Sequence, residues 1–132
     1  MREAEDIAVA ILGIGRMATG LAVDLALNGC AVDVIDIKPR NTEERQAKSA
    51  ELRAEFHSAA GQLKRDAANL PAPAYCGAEI PQKNYAYVFE ALPEEIPVKQ
   101  AAYKAMGKTI AGATALCSMT STFTVEELTA GM

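Results

Sequence analysis

A glycine-containing turn between two apolar segments constrains the fold of this chain more than any other part of the sequence. Residues 7–12 are apolar and typical of a buried strand, and residues 17–27 have the composition of a helix. Gly13, Gly15 and Ala18 at the junction form a G-x-G-x-x-A pattern. The first glycine permits a sharp bend, the second lets a phosphate approach the backbone, and the small third residue allows close helix packing. The sequence therefore predicts a strand–turn–helix unit that binds phosphate through N–H groups at the helix N-terminus.

An acidic residue follows the next apolar segment. We predict a second strand over residues 31–37, and Asp36 near its end lies 23 residues after Gly13. This is close to the spacing of the acid that binds an adenosine ribose in dinucleotide-binding βαβ units. The alternative is a glycine turn that only connects packed elements, with Asp36 as a solvated strand end.

The choice of cofactor also depends on this acid. A carboxylate at Asp36 can accept hydrogen bonds from ribose hydroxyls and would repel a 2′-phosphate, which favours NAD. Lys38 and Arg40 follow closely and could attract that phosphate if their loop folds back. The sequence therefore predicts NAD and keeps NADP as the alternative.

Composition favours one globular domain with a packed core. The chain has 132 residues, of which 50% are hydrophobic, and its net charge of −4 argues against nucleic-acid binding. It contains no apolar run of membrane-spanning length and no signal-peptide core, so we expect a cytoplasmic protein without membrane contact. The three cysteines are far apart in the sequence and odd in number, which predicts buried free thiols at Cys30, Cys76 and Cys117. The single histidine, His57, has no other potential metal ligands near it in the sequence.

Strand and helix patterns alternate along the rest of the chain. Leu21, Leu25 and Asn28 are spaced as on one side of the first helix, which Asn28-Gly29 should end. A polar helix capped by Asn41 and Glu44 is predicted over residues 42–65, followed by an edge strand over 74–77 and a strand over 85–92. The next predicted helix runs from Pro97 to Met106 and ends near Gly107. A strand over 114–118 and a short helix from Thr124 complete the predicted elements. This alternation predicts an α/β fold, a Rossmann-type doubly wound, mainly parallel sheet with helices on both faces. The loops over 90–99 and 118–122 should then flank the same crevice as the glycine turn.

Three segments of the sequence together resemble the L-3-hydroxyacyl-CoA dehydrogenase family. Residues 13–22 are similar to its "GxGxMGxGIA" turn, residues 89–99 to its "hEAvpEdlelK" segment, and residues 118–122 to its "SNTSs" segment. The order and separation of the segments also fit. The resemblance implies that residues 1–132 are an NAD-binding Rossmann domain.

The resemblance also implies roles for individual residues. The diphosphate of NAD would bind at the turn formed by Gly13, Ile14, Gly15, Arg16, Met17 and Ala18. Asp36 would bind the adenine ribose, Glu94 and Lys99 would line the nicotinamide side, and Ser121 would lie near the nicotinamide and the substrate hydroxyl. Met119 stands where the family usually has asparagine. From residue types alone, Glu94 and Lys99 could instead be solvated charges and Ser121 a local backbone partner.

The implied reaction is oxidation of an L-3-hydroxyacyl-CoA to the 3-oxoacyl-CoA, with NAD accepting the hydride, as in fatty acid metabolism. In the resembled family a histidine oriented by a glutamate takes the alcohol proton, and both lie beyond the segment that contains Ser121. No histidine follows Ser121 here, so we expect the cofactor domain of a longer, homodimeric enzyme whose C-terminal helical domain is absent from this chain. Such a fragment should bind dinucleotide and be inactive alone. The alternatives are a dehydrogenase of 3-hydroxy acids without CoA and a stand-alone dinucleotide-binding module.

Overall fold

The computed structural model describes residues 7–118, which form five strands and four α-helices. In chain order they are β1 (Ala8–Leu12), α1 (Arg16–Leu27), β2 (Ala31–Ile35), α2 (Thr42–Gln62), β3 (Ala74–Gly77), β4 (Tyr87–Glu90), α3 (Ile96–Ala105), α4 (Gly107–Gly112) and β5 (Ala115–Ser118). The predicted alternation of strands and helices is confirmed. The helix predicted from Thr124 lies outside the described residues, as do Met119 and Ser121.

The five strands form one sheet in the order β3-β2-β1-β4-β5, and all neighbouring pairs are parallel. The chain winds outward from β1 to β3 on one side and from β4 to β5 on the other, so its direction switches between β1 and β4. In such sheets ligands bind in the crevice beyond the carboxyl ends of the two strands where the direction switches, here β1 and β4. The doubly wound architecture predicted from the sequence is confirmed.

Helices cover both faces of the sheet, and alternate residues of β1 point into two separate cores. Val9 and Ile11 pack with α1 and α2, whereas Ala10 and Leu12 pack with the α3 side. This two-sided burial explains why the β1 segment is apolar throughout instead of alternating with polar residues.

Helix α1 packs on the sheet mainly through small residues. Its buried residues are mostly small, namely Ala18, Thr19, Ala22, Val23, Ala26 and Leu27. Leu21 and Leu25 are partly buried and pack against the same core, whereas Asn28 is exposed. A helix that lies close to a parallel sheet needs small side chains at the contact, and the larger leucines lie beside it. The predicted stop is confirmed, because Asn28 is the C-cap and Gly29 has a φ of 90°.

Helix α2 begins with the predicted capping box. The Asn41 side chain accepts a hydrogen bond from the Glu44 N–H at 2.8 Å, and the Asn41 N–H donates to the Glu44 carboxylate at 3.1 Å. The helix ends at Gln62 instead of residue 65, because Lys64 has a φ of 54° and turns the chain out of the helix. Its buried residues are Leu52, Phe56 and Ala60. Most of its other residues are exposed to solvent, as the polar sequence of this helix requires.

The boundaries in the second half of the described chain agree only in part with the predictions. Strand β4 covers only residues 87–90 of the predicted 85–92. The predicted helix end near Gly107 is confirmed, because α3 ends at Ala105 with Met106 as its C-cap, and Gly107 begins the separate short helix α4. Met106 lies between α3 and α4 and is fully buried, so its side chain anchors the bend against the sheet.

The cysteines are free thiols, as predicted, but Cys30 alone is buried, while Cys76 and Cys117 are partly exposed. Within residues 7–118, no helix is both long and apolar enough to cross a bilayer.

Candidate functional site

Gly13 occupies a position that no other residue type could fill without strain. Its φ is 120°, and a Cβ there would lie 2.6 Å from the backbone oxygen of Ala91, the first residue after β4. The same Cβ would stand 3.6 Å from the Cβ of Ala18, which is fully buried. Gly13 therefore permits both the tight turn and the close approach of β1 to β4, as the sequence predicts for the first and third positions of the motif.

Gly15 leaves open space at the N-terminus of α1. It is the N-cap residue with ordinary extended dihedral angles, it is exposed, and no atom lies within 4 Å of the place where its Cβ would be. No side chain caps the helix, so the first N–H groups of Arg16, Met17 and Ala18 have no intrahelical acceptor. Uncapped N–H groups and the positive end of the helix dipole suit an anion. The residues present therefore fit a bound diphosphate.

A cavity of about 280 Å³ adjoins this turn on the side of α2. Its lining includes Gly15, Arg16, Thr19, Lys48, Glu51 and Glu55. The approach to the turn is thus open and polar.

Asp36 follows β2 directly and is almost buried, with 5% of its surface exposed. Its backbone N–H donates to the Gly77 oxygen at 2.9 Å, which fixes the residue at the carboxyl end of the sheet. Its Oδ2 accepts hydrogen bonds from the Tyr75 hydroxyl at 2.6 Å and from Nε of Arg40. The alternative in which Asp36 is a solvated strand end is therefore wrong.

Two pKa shifts reflect this contact. Burial and the hydrogen bond to Asp36 raise the pKa of Tyr75 to about 12. The hydrogen bond to Asp36 is also the main cause that raises the pKa of Arg40. The carboxylate is thus held between a neutral hydroxyl and a permanent cation.

Glu90, the last residue of β4, is the centre of a buried polar network. It is completely inaccessible to solvent. Its Oε2 accepts hydrogen bonds from Nζ of Lys99 at 2.7 Å and from the Leu92 N–H at 2.8 Å. Its Oε1 accepts from the hydroxyls of Tyr103 at 2.7 Å and Ser118 at 2.6 Å. One carboxylate therefore joins β4, the following loop, α3 and the end of β5.

The network keeps both of its central groups charged. Burial opposes ionisation of Glu90, but hydrogen bonds from Lys99, Ser118, Tyr103 and Leu92 outweigh it and lower the pKa of the carboxyl group. Burial likewise opposes the charge of Lys99, but hydrogen bonds to Glu90 and Glu94 outweigh it and raise the pKa of the ammonium group.

Lys99 links this network to the crevice. Its side chain is fully buried, and Nζ lies 2.8 Å from Oε1 of Glu94 and 3.4 Å from the Leu92 oxygen, in addition to Glu90. Glu94 is 39% exposed. The alternative in which Lys99 is a solvated charge is therefore wrong, since its three N–H donors have protein acceptors. Direct contact of Lys99 with a cofactor remains a prediction.

The structure brings most of the predicted site residues to one edge of the sheet. Those at the carboxyl ends of the strands are Gly13, Ile14, Gly15, Arg16, Met17, Ala18, Asp36, Glu94 and Lys99. Ser121 lies outside the described residues. Sequence reasoning gave no separate role to Glu90 or Tyr103. An acid at the end of an apolar strand was the available signal for Glu90, because buried acids need partners.

The pH dependence of stability tests the Glu90 network. Because the folded-state pKa of Glu90 lies below its ordinary value of 4.5, its ionisation stabilises the fold above that pH. This stabilisation is lost as the pH falls through the folded-state pKa. We expect the stability difference between the wild type and Glu90→Gln, measured by urea unfolding, to shrink as the pH is lowered from neutral to about 3. A difference that stays constant across this range would contradict the account.

Comparison with known families places the chain among dehydrogenase domains. A family model described as "3-hydroxyacyl-CoA dehydrogenase, NAD binding domain" matches residues 8–132. No curated protein matches the chain significantly by sequence.

Solved structures with the same fold include 3-hydroxybutyryl-CoA dehydrogenase from Escherichia coli K12, with 23% identity, a TM-score of 0.72 and coverage of 96% of this chain and 27% of the other. A 5-formyl-3-hydroxy-2-methylpyridine 4-carboxylic acid 5-dehydrogenase, described as an NAD⁺-dependent dismutase, shares 25% identity with a TM-score of 0.70, covering 92% of this chain and 39% of the other. A diketoreductase that acts on dicarbonyl compounds shares 24% identity with a TM-score of 0.70, covering 92% and 44%. This chain thus spans less than half the length of each of these structures.

Proposed function

The chain belongs to the 3-hydroxyacyl-CoA dehydrogenase family as its NAD-binding domain, and we propose that its crevice holds the dinucleotide for hydride transfer with a 3-hydroxyacyl-CoA. The observation that carries the proposal is the open, uncapped helix N-terminus at Gly15, beside a Gly13 packed against the end of β4. It lies at the point where the winding of the sheet reverses.

Each part of the crevice has its own proposed task. The N–H groups of residues 15–18 bind the diphosphate, and Asp36 accepts hydrogen bonds from the adenine ribose. Glu94 lies on the nicotinamide side and is held there by the buried ammonium of Lys99. Ser121 is proposed to contact the nicotinamide and the substrate hydroxyl.

Position and electrostatics are the contribution of the chain to the reaction. When bound, NAD supplies the carbon that accepts the hydride. The buried Glu90 network fixes the loop after β4 relative to the end of β5. The two loops that are proposed to flank the nicotinamide therefore start from fixed positions, as reacting groups require.

The proposed reaction also needs a general base for the alcohol proton. The single histidine of the sequence, His57, is exposed on α2, where its ring meets the edge of Phe56 with centroids 5.6 Å apart. It lies at no strand end, so we propose that the base belongs to another part of a longer chain. A helical domain that forms a homodimer is proposed to lie there too, in a cytoplasmic enzyme.

The substrate distinguishes two candidate functions. The family description favours a CoA thioester, whereas the relative at 25% identity is a dehydrogenase of a pyridine carboxylic acid. The product of the complete open reading frame should reduce NAD⁺ with L-3-hydroxybutyryl-CoA and much more slowly with free 3-hydroxybutyrate. Faster oxidation of free 3-hydroxybutyrate than of the CoA thioester would instead establish a dehydrogenase of 3-hydroxy acids without CoA.

An open reading frame of only these 132 residues, with NADH binding but no oxidation of either substrate, would favour a stand-alone dinucleotide-binding module.

Asp36→Ala tests the proposed ribose contact. We expect this change to weaken NADH binding by about tenfold or more, because charge-assisted hydrogen bonds to the ribose are lost. Binding is measured by NADH fluorescence with the purified chain. Asp24→Ala on the exposed side of α1 removes the same charge away from the crevice and should leave the affinity unchanged. Equal affinities for the wild type and Asp36→Ala would contradict the assigned role.

A further inference from the structure

The guanidinium group of Arg40 is folded back onto the acid that is proposed to bind the ribose. Nε of Arg40 donates to Oδ2 of Asp36, and only 12% of the Arg40 side chain is exposed. The hydroxyl of Tyr75 donates to the same oxygen from the edge strand β3 at 2.6 Å. Arg40 therefore has a defined position beside Asp36, although it lies in the loop between β2 and α2.

This contact changes the charge that a ligand meets at the end of β2. An isolated aspartate repels a 2′-phosphate, and this repulsion is the usual basis for preferring NAD. Asp36 and Arg40 together carry no net charge, so the repulsion is largely cancelled for a phosphate that approaches the pair.

Arg40 also offers the donors that a phosphate needs. A guanidinium group has five N–H donors in a planar fork, and it binds phosphate oxygens through two parallel hydrogen bonds. Within residues 7–118, the side chain of Arg40 donates its hydrogen bond to Asp36 through Nε. The two terminal nitrogens of the guanidinium group are therefore left to bind an incoming anion.

We propose that Arg40 determines the cofactor specificity of this domain, because its guanidinium group binds the 2′-phosphate of NADP(H). The crevice then binds both NAD(H) and NADP(H). The proposal rests on the proposed binding of the adenine ribose at Asp36. Nε of Arg40 and the hydroxyl of Tyr75, which comes from a different strand, both keep the Asp36 carboxylate in place while the terminal nitrogens of Arg40 bind the phosphate.

Lys38 provides a matched control for the charge of Arg40. It lies in the same loop, two residues after Asp36, but its side chain is exposed and no recorded ion pair joins it to Asp36 within the described part of the chain. Arg40→Ala and Lys38→Ala therefore remove the same charge from the same loop, and Arg40→Ala alone removes the guanidinium that contacts the carboxylate.

The experiment measures the dissociation constants of NADH and NADPH by fluorescence titration of the wild type, Arg40→Ala and Lys38→Ala. We expect the wild type to bind both dinucleotides. We expect Arg40→Ala to raise the ratio of the NADPH constant to the NADH constant by about tenfold or more, because a bidentate charge-assisted contact is lost and Asp36 is left uncompensated. Lys38→Ala should change the ratio by less than about threefold, as expected for an exposed charge.

A second pair of variants keeps the test independent of the folding of Arg40→Ala. Asp36→Ser removes the carboxylate that neutralises Arg40 and should lower the ratio of the NADPH constant to the NADH constant below that of the wild type. The double variant Asp36→Ser/Arg40→Ala should have a higher ratio of the NADPH constant to the NADH constant than Asp36→Ser alone.

Three results would overturn the proposal: no NADPH binding by the wild type, no change of the ratio in either Arg40 variant, or an equal change in Lys38→Ala. If the wild type binds NADH and one of these results is found, the specificity role alone fails. If it binds neither dinucleotide, the proposed function fails as well.

Discussion

Replacing Glu90 with glutamine is expected to lower the free energy of unfolding by about 3–5 kcal/mol, the usual cost of removing one partner of a buried ion pair. The carboxylate is inaccessible to solvent and accepts four hydrogen bonds. A glutamine turns one of its acceptors into an amide donor that faces another donor. It also leaves Glu94 as the only carboxylate partner, within residues 7–118, of the buried ammonium of Lys99. Urea unfolding at neutral pH, followed by circular dichroism, measures the loss.

The control for this change is an ion pair on the protein surface. Glu51 lies 3.9 Å from Lys48 on α2, and 68% of its side chain is exposed. Glu51→Gln makes the same chemical change and should alter the free energy of unfolding by less than about 1 kcal/mol. The double variant Glu90→Gln/Lys99→Met should be more stable than Glu90→Gln alone, because it removes a buried charge that has lost its fully buried carboxylate partner. Equal effects of Glu90→Gln and Glu51→Gln would show that the buried network does not hold the fold.

Replacing Gly13 with alanine is expected to destabilise the domain by about 3 kcal/mol or more, since a positive φ and a backbone clash both oppose the new side chain. The Cβ would lie 2.6 Å from the Ala91 oxygen, and the two residues directly follow β1 and β4, which are paired in the sheet. Thermal or urea unfolding measures the loss.

Gly15→Ala is the matched control for the backbone effect. Gly15 has a φ of −70° and open space around its Cβ position, so alanine there should change the stability by less than about 1 kcal/mol. If both substitutions have the same effect on stability, Gly13 does not have the role that its conformation indicates.

The architecture could be predicted from the sequence because its signals are local. Apolar segments bounded by turn residues predicted the strands, and the capping residues of α2 predicted where that helix begins. The short edge strand β3 was also found, since prolines precede it. Apart from Ala18, the small residues on the buried side of α1 were not predicted, because local spacing does not show that a close contact with the sheet favours alanine over leucine.

The side-chain networks could not be predicted, because they join residues that are distant in sequence. Tyr75 reaches Asp36 across 39 residues, and the pairing of β2 with β3 shifts in register between Val34 and Ile35. Glu90 and Ser118 are 28 residues apart and meet only because β4 and β5 are neighbours. These contacts depend on register and strand order, which only the folded chain defines.

Titration of the chain with NADH, compared with Gly15→Val, tests the dinucleotide site most directly. We expect saturable binding by the wild type. Gly15→Val should bind at least about tenfold more weakly, with an unchanged circular dichroism spectrum, because its side chain fills the space where the diphosphate approaches the backbone. Undiminished affinity in Gly15→Val, or no binding by the folded wild type, would contradict the account.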